Sequence, residues 1–234
     1  MSIGRPVLFL PGTLCDERIF MPMWKHMNIN QRRFVPLQWA SSLEDMLALT
    51  SDRVLSDEKV HVVGYSMGGF IAAKWASLHA EHVASLTLIG YDGYGLSADE
   101  IARRKQMVSL LKNGTFRLDN PQYLARFVLP TQQQNEDVVG VVQGMGEDLG
   151  KNTLLAHTQA TTPRENMVNT LAQLALPTGI IAAKDDRIAM YSQLMKMADN
   201  IPTAIRYTVN DSGHMLPLEQ PAQLAELVTS FISA

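Results

Sequence analysis

The stretch His61–Phe70, HVVGYSMGGF, places Ser66 between glycines, directly after an apolar run and before a segment with helical spacing. A serine on so tight a turn sits in a strained backbone conformation, so the residues two before and two after it must be small. Gly64 and Gly68 meet that requirement. The turn is either a structural bend that needs small residues or one that exposes a nucleophile, and the rest of the chain decides between them.

Length and composition restrict the class of protein. The chain has 234 residues, of which 46% are hydrophobic, enough for the core of one domain with an inserted subdomain. Its net charge of −3, without a long run of either sign, predicts neither nucleic acid nor a membrane as a partner. The single cysteine, Cys15, excludes an internal disulfide framework and the multi-cysteine zinc motifs, and we predict neither a metal nor another cofactor.

The sequence also predicts a cytoplasmic location. The early apolar run VLFL is far too short to span a membrane. The start of the chain, MSIGRP, lacks the longer apolar stretch of a signal peptide. We therefore expect a soluble protein.

Short apolar runs that favour β-strands alternate with segments that have helical spacing. The runs are continuous, which is typical of strands buried on both faces, and the alternation predicts a parallel sheet covered by helices on both sides. The predicted strands are Val7–Leu10, Phe34–Leu37, Val60–Gly64, Leu86–Gly90, Gly179–Ala183 and Ala204–Val209. The helices predicted between and after them are Glu17–Met27, Ser42–Leu55, Met67–His79, Met190–Ala198 and Leu218–Ile232.

The alternation stops between about Tyr91 and Ala175, where the sequence predicts several helices and no strand. Ser97 is a candidate N-cap for the first of them, Pro121 begins a second, and Glu136–Met145 forms a third. The simplest interpretation is an all-helical insertion, or cap, between two strands of one sheet. We therefore predict an α/β core formed by residues 1–92 and 175–234, and a helical cap formed by residues 93–174.

Ser66 follows a predicted strand at the carboxyl edge of the sheet, where ligands bind in open α/β sheets. The backbone N–H of Met67, at the start of the next helix, can donate a hydrogen bond to a developing oxyanion. Serine is a weak nucleophile until a base takes its proton, and that base needs a third group to orient it. A catalytic role for Ser66 therefore requires a histidine and an acid at the same edge.

His214 is the histidine best placed to act as that base. It lies in DSGHMLPLEQP, on a loop after the last predicted strand, with Gly213 before it and Pro217 at the start of the closing helix. This position brings the imidazole to the same edge as Ser66. The remaining histidines are interpreted as structural or solvent-facing, and they are His26, His61, His79, His82 and His157.

The acid has three candidates. Asp185 and Asp186 end a predicted strand in GIIAAKDDRI, and Asp92 follows the preceding strand in GYDGYG. A pair of carboxylates on a loop is also compatible with a solvated turn. With Asp185 or Asp186 the chain order is serine, aspartate, histidine, which is the order of the α/β hydrolases.

Four motifs in this chain resemble those of the α/β-hydrolase fold superfamily, and together they extend over essentially its full length. LFLPGTLCD resembles the oxyanion loop, VVGYSMGG the nucleophile elbow, IIAAKDDRI the acid loop and SGHMLPLEQP the histidine loop. The resemblance implies a serine-nucleophile, esterase-like member with a helical cap. It also implies that Asp186 is the acid and that the backbone N–H of Thr13 is the second oxyanion donor.

The chain departs from the family pattern in two places. Pro11 replaces the histidine that is usual in the oxyanion loop, which should change how that loop is braced without removing a backbone donor. The resemblance also implies that the sheet begins at the strand that is normally third, so we expect it to lack the antiparallel N-terminal hairpin. A six-stranded, mostly parallel sheet is expected to remain.

The resemblance implies a serine hydrolase that cleaves a small-molecule carboxylic ester, or a thioester, through an acyl-enzyme on Ser66. Leu14 and Met215 are expected to line the substrate pocket. The same triad would serve a menaquinone-pathway-type lyase or a carbon–carbon hydrolase, and the same fold a non-catalytic small-molecule receptor. A basic run on the predicted cap, ARRKQ, would suit an acidic partner such as an acyl-carrier protein, a carboxylate substrate, or simply a solvated helix face.

Overall fold

Six strands form one parallel sheet in a computed structural model that describes residues 3–114 and 124–234. The strands are β1 (Val7–Leu10), β2 (Arg32–Phe34), β3 (Val60–Tyr65), β4 (Val83–Ile89), β5 (Thr178–Ala183) and β6 (Ala204–Val209). Their spatial order is β2-β1-β3-β4-β5-β6, and every neighbouring pair is parallel. The six-stranded parallel sheet expected from the sequence is confirmed.

Helices connect most of these strands. Those in the described residues are α1 (Met21–Trp24), α2 (Leu43–Ser51), α3 (Met67–Leu78), α4 (Ala98–Lys112), α5 (Glu136–Ala160), α6 (Val168–Gln173), α7 (Tyr191–Asp199), α8 (Leu216–Glu219) and α9 (Pro221–Ser233). None of the helices in this described part is long and apolar enough to cross a membrane.

The sheet is buried on both faces by two separate apolar clusters. Successive side chains of a strand point to opposite faces, so Leu8 of β1 belongs to one cluster and Phe9 to the other. Helices α2, α3, α6 and α7 contribute to the first cluster, and α1, α5 and α9 to the second. Burial on both sides explains why the central strands read as continuous apolar runs.

Several predicted element boundaries are wrong. The strand predicted at Phe34–Leu37 is observed at Arg32–Phe34, because the chain turns at Pro36 and Leu37 is buried within a 3-10 turn. The helix predicted at Glu17–Met27 is a 3-10 turn followed by the short helix α1. The closing helix is divided at Gln220, because Pro221 has no N–H with which to continue α8.

The segment between β4 and β5 contains helices and no strand in its described residues. Ser97 caps α4, accepting from the N–H of Glu100 while the Glu100 carboxylate accepts from the N–H of Ser97. Helix α5 runs well past the predicted end at Met145, with a kink at Gly150, whose φ is 67°. The helix start predicted at Pro121 lies outside the described residues, and the division into a core and a cap stays a prediction.

Candidate active site

Ser66 sits at the sharp turn between β3 and α3, with φ 52° and ψ −115°. A residue with a side chain reaches such a backbone conformation only at a cost of about 1–3 kcal/mol. The turn also leaves no room for side chains beside it: a Cβ on Gly64 would lie 2.5 Å from the carbonyl oxygen of Gly68. A Cβ on Gly68 would overlap the carbonyl oxygen of Leu10. The two glycines are therefore required by packing, as the sequence predicts.

His214 joins Ser66 to Asp186. Its Nε2 lies 2.9 Å from the Ser66 Oγ, and its Nδ1 lies 2.7 Å from Oδ2 of Asp186. The histidine is 3% exposed and the aspartate 4%. Residues from three distant parts of the chain thus form one continuous hydrogen-bonded row.

The partners of the imidazole determine its tautomer. An ionised carboxylate can only accept, so Nδ1 of His214 carries the hydrogen that is shared with Asp186. In the neutral ring the lone pair is then on Nε2, facing the Ser66 hydroxyl. This is the form of the imidazole that can remove a proton from the serine.

Asp186 is the carboxylate that the fold directs toward His214. Its other oxygen, Oδ1, accepts hydrogen bonds from the backbone N–H groups of Ile188 at 2.7 Å and Ala189 at 2.9 Å. Asp185 is exposed to solvent. Asp92 accepts from the N–H of Tyr94 at 3.1 Å, and burial raises the pKa of its carboxyl group.

The loop after β1 lies against the serine. A Cβ on Gly12 would be 3.4 Å from the Ser66 Cβ. The next residue, Thr13, is half-buried, and Met67, which follows the serine, is buried. The backbone N–H groups of Thr13 and Met67 have no hydrogen-bond acceptor within the described part of the chain. Two donors therefore remain available beside Ser66.

A family model described as "alpha/beta hydrolase fold" matches residues 40–221 of this chain. The chain belongs to the alpha/beta hydrolase family.

Curated relatives of this alpha/beta hydrolase include enzymes with different substrates. It is 27% identical, over 76% of its length, to a 2-hydroxy-6-oxo-6-(2'-aminophenyl)hexa-2,4-dienoic acid hydrolase of Metapseudomonas resinovorans, and covers 61% of that protein. It is 25% identical, over 77% of its length, to monoacylglycerol lipase abhd6-B of Xenopus laevis, and covers 56% of it. The chain thus spans between 56% and 61% of the length of these two relatives.

Solved structures share the fold at low sequence identity. A thermophilic esterase from Thermogutta terrifontis superposes with a TM-score of 0.85 at 18% identity, covering 100% of this chain and 91% of the esterase. An enol-lactonase from Burkholderia xenovorans gives a TM-score of 0.82 at 16% identity, with 99% of this chain and 92% of the lactonase covered.

Two further side chains of this protein hold the histidine loop, and the sequence did not point to either. The Tyr65 hydroxyl donates to the backbone carbonyl of His214 at 2.8 Å. The Glu219 carboxylate accepts from the Gly213 N–H at 2.8 Å and the Leu129 N–H at 2.6 Å. Burial raises the pKa of Glu219, although these hydrogen bonds oppose the shift. The residue before the serine and a residue of the closing helices thus fix the backbone of residues 213–214.

Leu14 and Met215, the residues expected to line the substrate pocket, differ in burial. Leu14 is half-buried and has a φ of 55°. Met215 is 7% exposed, and its Sδ accepts from the Tyr65 hydroxyl at 3.4 Å. Met215 therefore packs mainly within the hydrophobic core, directly beside the histidine.

Two histidines assigned to structure or solvent are buried and hydrogen-bonded. His61 bonds through Nδ1 to the Ser85 hydroxyl at 2.8 Å. His157, on α5, has both ring nitrogens engaged: Nδ1 accepts from the Leu14 N–H at 3.1 Å, and Nε2 lies 2.9 Å from the Leu37 carbonyl oxygen. The contact with Leu14 connects the helical segment to the loop beside Ser66.

Neither a metal-binding cluster nor the surface groove beside β2 offers an alternative site among the described residues. No group of three or more His, Cys, Asp or Glu that could hold a metal is found among residues 3–114 and 124–234. A surface groove of about 420 Å³ beside β2 lacks the serine, histidine and aspartate, and is lined by Glu17, Trp24, Arg32, Phe34, Pro36, Gln38, Trp39 and Arg53. Hydrogen-bond geometry, rather than groove size, identifies the candidate active site.

Proposed function

We propose that this protein is a serine hydrolase that cleaves a small carboxylic ester, or a thioester, through an acyl-enzyme on Ser66. One observation carries the proposal: the His214 imidazole lies 2.9 Å from the Ser66 hydroxyl and 2.7 Å from the Asp186 carboxylate. Those distances are within hydrogen-bond reach for a nucleophile, its base and the group that orients the base.

In the first half of the reaction, Ser66 Oγ attacks the carbonyl carbon of the ester while His214 Nε2 takes the hydroxyl proton. Asp186 accepts from Nδ1–H throughout and stabilises the imidazolium that forms. The carbon–oxygen bond to the leaving group then breaks, and His214 returns the proton to the departing alkoxide. The product of this half is an alcohol, with the acyl group bound to Ser66.

In the second half, water occupies the place that the alcohol has left. His214 removes a proton from the water as its oxygen attacks the acyl carbon. The bond to Ser66 breaks, the proton returns to Oγ, and the carboxylic acid is released. The enzyme is regenerated with the same tautomer of His214.

Both halves pass through a tetrahedral oxyanion that needs hydrogen-bond donors. The N–H groups of Thr13 and Met67 are available for this role, because neither has an acceptor among the described residues. Met67 also begins a helix, whose N-terminus favours negative charge. Removing one such donor typically lowers kcat by about 10²–10³-fold.

The Ser66→Ala variant tests this function. Wild-type protein and the variant are compared on p-nitrophenyl esters of increasing acyl length, beside a thioester and a lactone. We expect the variant to lose turnover and to keep its melting temperature. Ser77→Ala, on the same helix with its hydroxyl bonded to the Lys74 carbonyl, is the matched control. Full activity in Ser66→Ala would refute the mechanism.

Hydrolysis of a carbon–carbon bond is a second candidate, supported by the Metapseudomonas relative. The substrate in that enzyme's name contains no ester, so its hydrolysis must break a carbon–carbon bond. An aryl-substituted 2-hydroxy-6-oxodienoic acid offered in the same assay separates the two functions. Faster turnover of this acid than of every ester favours the second candidate, and ligand binding without turnover of any substrate favours a receptor.

A further inference from the structure

The peptide unit between Thr13 and Leu14 is held at both of its ends. Its N–H, that of Leu14, donates to Nδ1 of His157 at 3.1 Å. Its carbonyl, that of Thr13, accepts from Sγ of Cys15 at 3.4 Å. Burial raises the pKa of the Cys15 thiol to about 12, so the sulfur keeps the hydrogen that it donates. The orientation of this one peptide plane is therefore specified by two side chains.

His157 can make its hydrogen bonds to Leu14 and Leu37 together in only one protonation state. The Leu14 N–H can only donate, so Nδ1 must be without a hydrogen. The Leu37 carbonyl can only accept, so Nε2 must carry one. The ring is fully buried, and burial lowers the pKa of His157 despite the bond to Leu37. A neutral imidazole with a defined tautomer thus links α5 to the loop after β1.

The tether also supports a strained residue. Leu14 has a φ of 55°, in the left-handed region that residues with a side chain rarely adopt. A peptide on this loop could otherwise relieve the strain by rotating. Rotation would also move the backbone of Thr13. The Thr13 N–H has no acceptor in the described residues, and Thr13 directly follows Gly12, which lies beside Ser66.

We propose that His157 is a positioning residue of the oxyanion hole. By holding the Thr13–Leu14 peptide, it directs the Thr13 N–H toward the carbonyl oxygen of a substrate bound at Ser66. The brace comes from helix α5, in the segment between β4 and β5, and it contacts the loop that follows β1. This inference rests on the proposed function of Ser66.

Two substitutions separate the two hydrogen bonds of the ring. An asparagine amide reaches the place of Nδ1, so His157→Asn keeps an acceptor for Leu14 and loses the donor to Leu37. A glutamine amide reaches the place of Nε2, so His157→Gln keeps the donor to Leu37 and leaves the Leu14 N–H unpaired. Both variants change a buried ring to a shorter or narrower amide and should lose thermal stability to a similar extent.

We expect kcat on the best ester to fall by about threefold in His157→Asn and by about 10–100-fold in His157→Gln. KM should stay nearly constant in both variants, because a misplaced oxyanion donor affects the transition state more than the bound substrate. His61→Gln, a buried histidine on β3 bonded to Ser85, is the control for lost stability and should leave kcat unchanged. Equal kcat in the two His157 variants would overturn the proposal. So would a loss of kcat that follows the decrease in melting temperature in all three variants.

A second measurement does not depend on turnover. Amide hydrogen exchange of Leu14, followed by NMR, should accelerate at least tenfold in His157→Gln relative to His157→Asn. If wild-type protein hydrolyses no ester and this exchange pattern is still found, the proposed function fails while the tether to the loop stands. Slow exchange of Leu14 in His157→Gln would overturn the tether itself, whatever the enzyme hydrolyses.

Discussion

The Tyr65 hydroxyl donates to the backbone carbonyl of His214 at 2.8 Å, and the two rings lie 5.5 Å apart between centroids. The residue directly before the candidate nucleophile therefore holds the backbone of the candidate base. Tyr65 is fully buried, and burial raises the pKa of its hydroxyl well above the usual range, which favours the protonated form that donates this hydrogen bond.

Tyr65→Phe should lower both stability and kcat. The variant keeps the ring but leaves a buried carbonyl without its donor, which costs about 1–3 kcal/mol. Because the His214 backbone is then free to move, we expect kcat to fall by about tenfold with little change in KM. Urea unfolding and ester kinetics measure the two effects. Tyr207→Phe, on β6 against Phe231, is the control, and an unchanged kcat in Tyr65→Phe would show that the bond has no role in positioning.

Asp186→Asn should abolish the proposed ester hydrolysis, whereas Asp185→Asn should not. An asparagine at 186 can present its amide hydrogens to Nδ1 of His214 and so favour the wrong tautomer, and we expect a loss of kcat on the order of 10⁴-fold. Asp185 is exposed, so its variant should stay within about threefold of wild type, since surface changes away from a site have small effects. The kinetics of the two variants on one ester decide the assignment, and a large loss in Asp185→Asn would reverse it.

Gly68→Ala should destabilise the fold because a methyl group there meets two carbonyl oxygens, that of Leu10 and, at 2.5 Å, that of Pro11. We expect a loss of about 1–3 kcal/mol or more in the free energy of unfolding. Gly146→Ala is the matched control: this glycine lies in α5, and beyond its chain neighbours and the nearby backbone of its own helix no atom lies within 4 Å of an added Cβ. The change should stabilise the protein by about 0.4–1 kcal/mol. Equal unfolding midpoints in urea for the two variants would contradict the close packing at the turn.

His61 should make the protein less stable in mild acid. Burial, with a smaller contribution from Arg5, lowers the pKa of His61 from 6.5 to about 4. Between those two pH values the unfolded chain binds a proton that the folded chain does not, so stability should fall as the pH falls from 6.5 to about 4. His61→Gln should lose less stability than wild type over this range in urea unfolding. The exposed His26 provides the control, and His26→Gln should follow the wild-type curve.

The four central strands of the sheet were predictable because they are buried on both faces. The predicted bounds of β1 and of the more exposed edge strand β6 agree with the structure, since turn residues follow both. The prediction failed at β2, where Val35 and Leu37 are fully buried although they follow the strand. Burial in a loop leaves the same apolar pattern in the sequence as burial in a strand, so the pattern alone could not place that boundary.

The reacting side chains were predictable because their loops have strong local patterns, but the residues around them were not. The elbow glycines and the glycine before His214 mark their positions within a few residues. The partners of His157 and Tyr65, by contrast, lie 143 and 149 residues away along the chain. No local spacing encodes contacts at that separation, so buried polar side chains that brace a site emerge only from the folded structure.

The backbone amides of His214 and Met215 both donate to the carbonyl of Phe127, at 2.8 and 3.2 Å, and Phe127 belongs to the segment between β4 and β5. Deleting residues 93–174 to obtain a smaller scaffold would therefore also remove the hydrogen-bond acceptor that holds the backbone of His214, the candidate base. A chimera that replaces the predicted cap with that of another protein should therefore keep the backbone of residues 127–129.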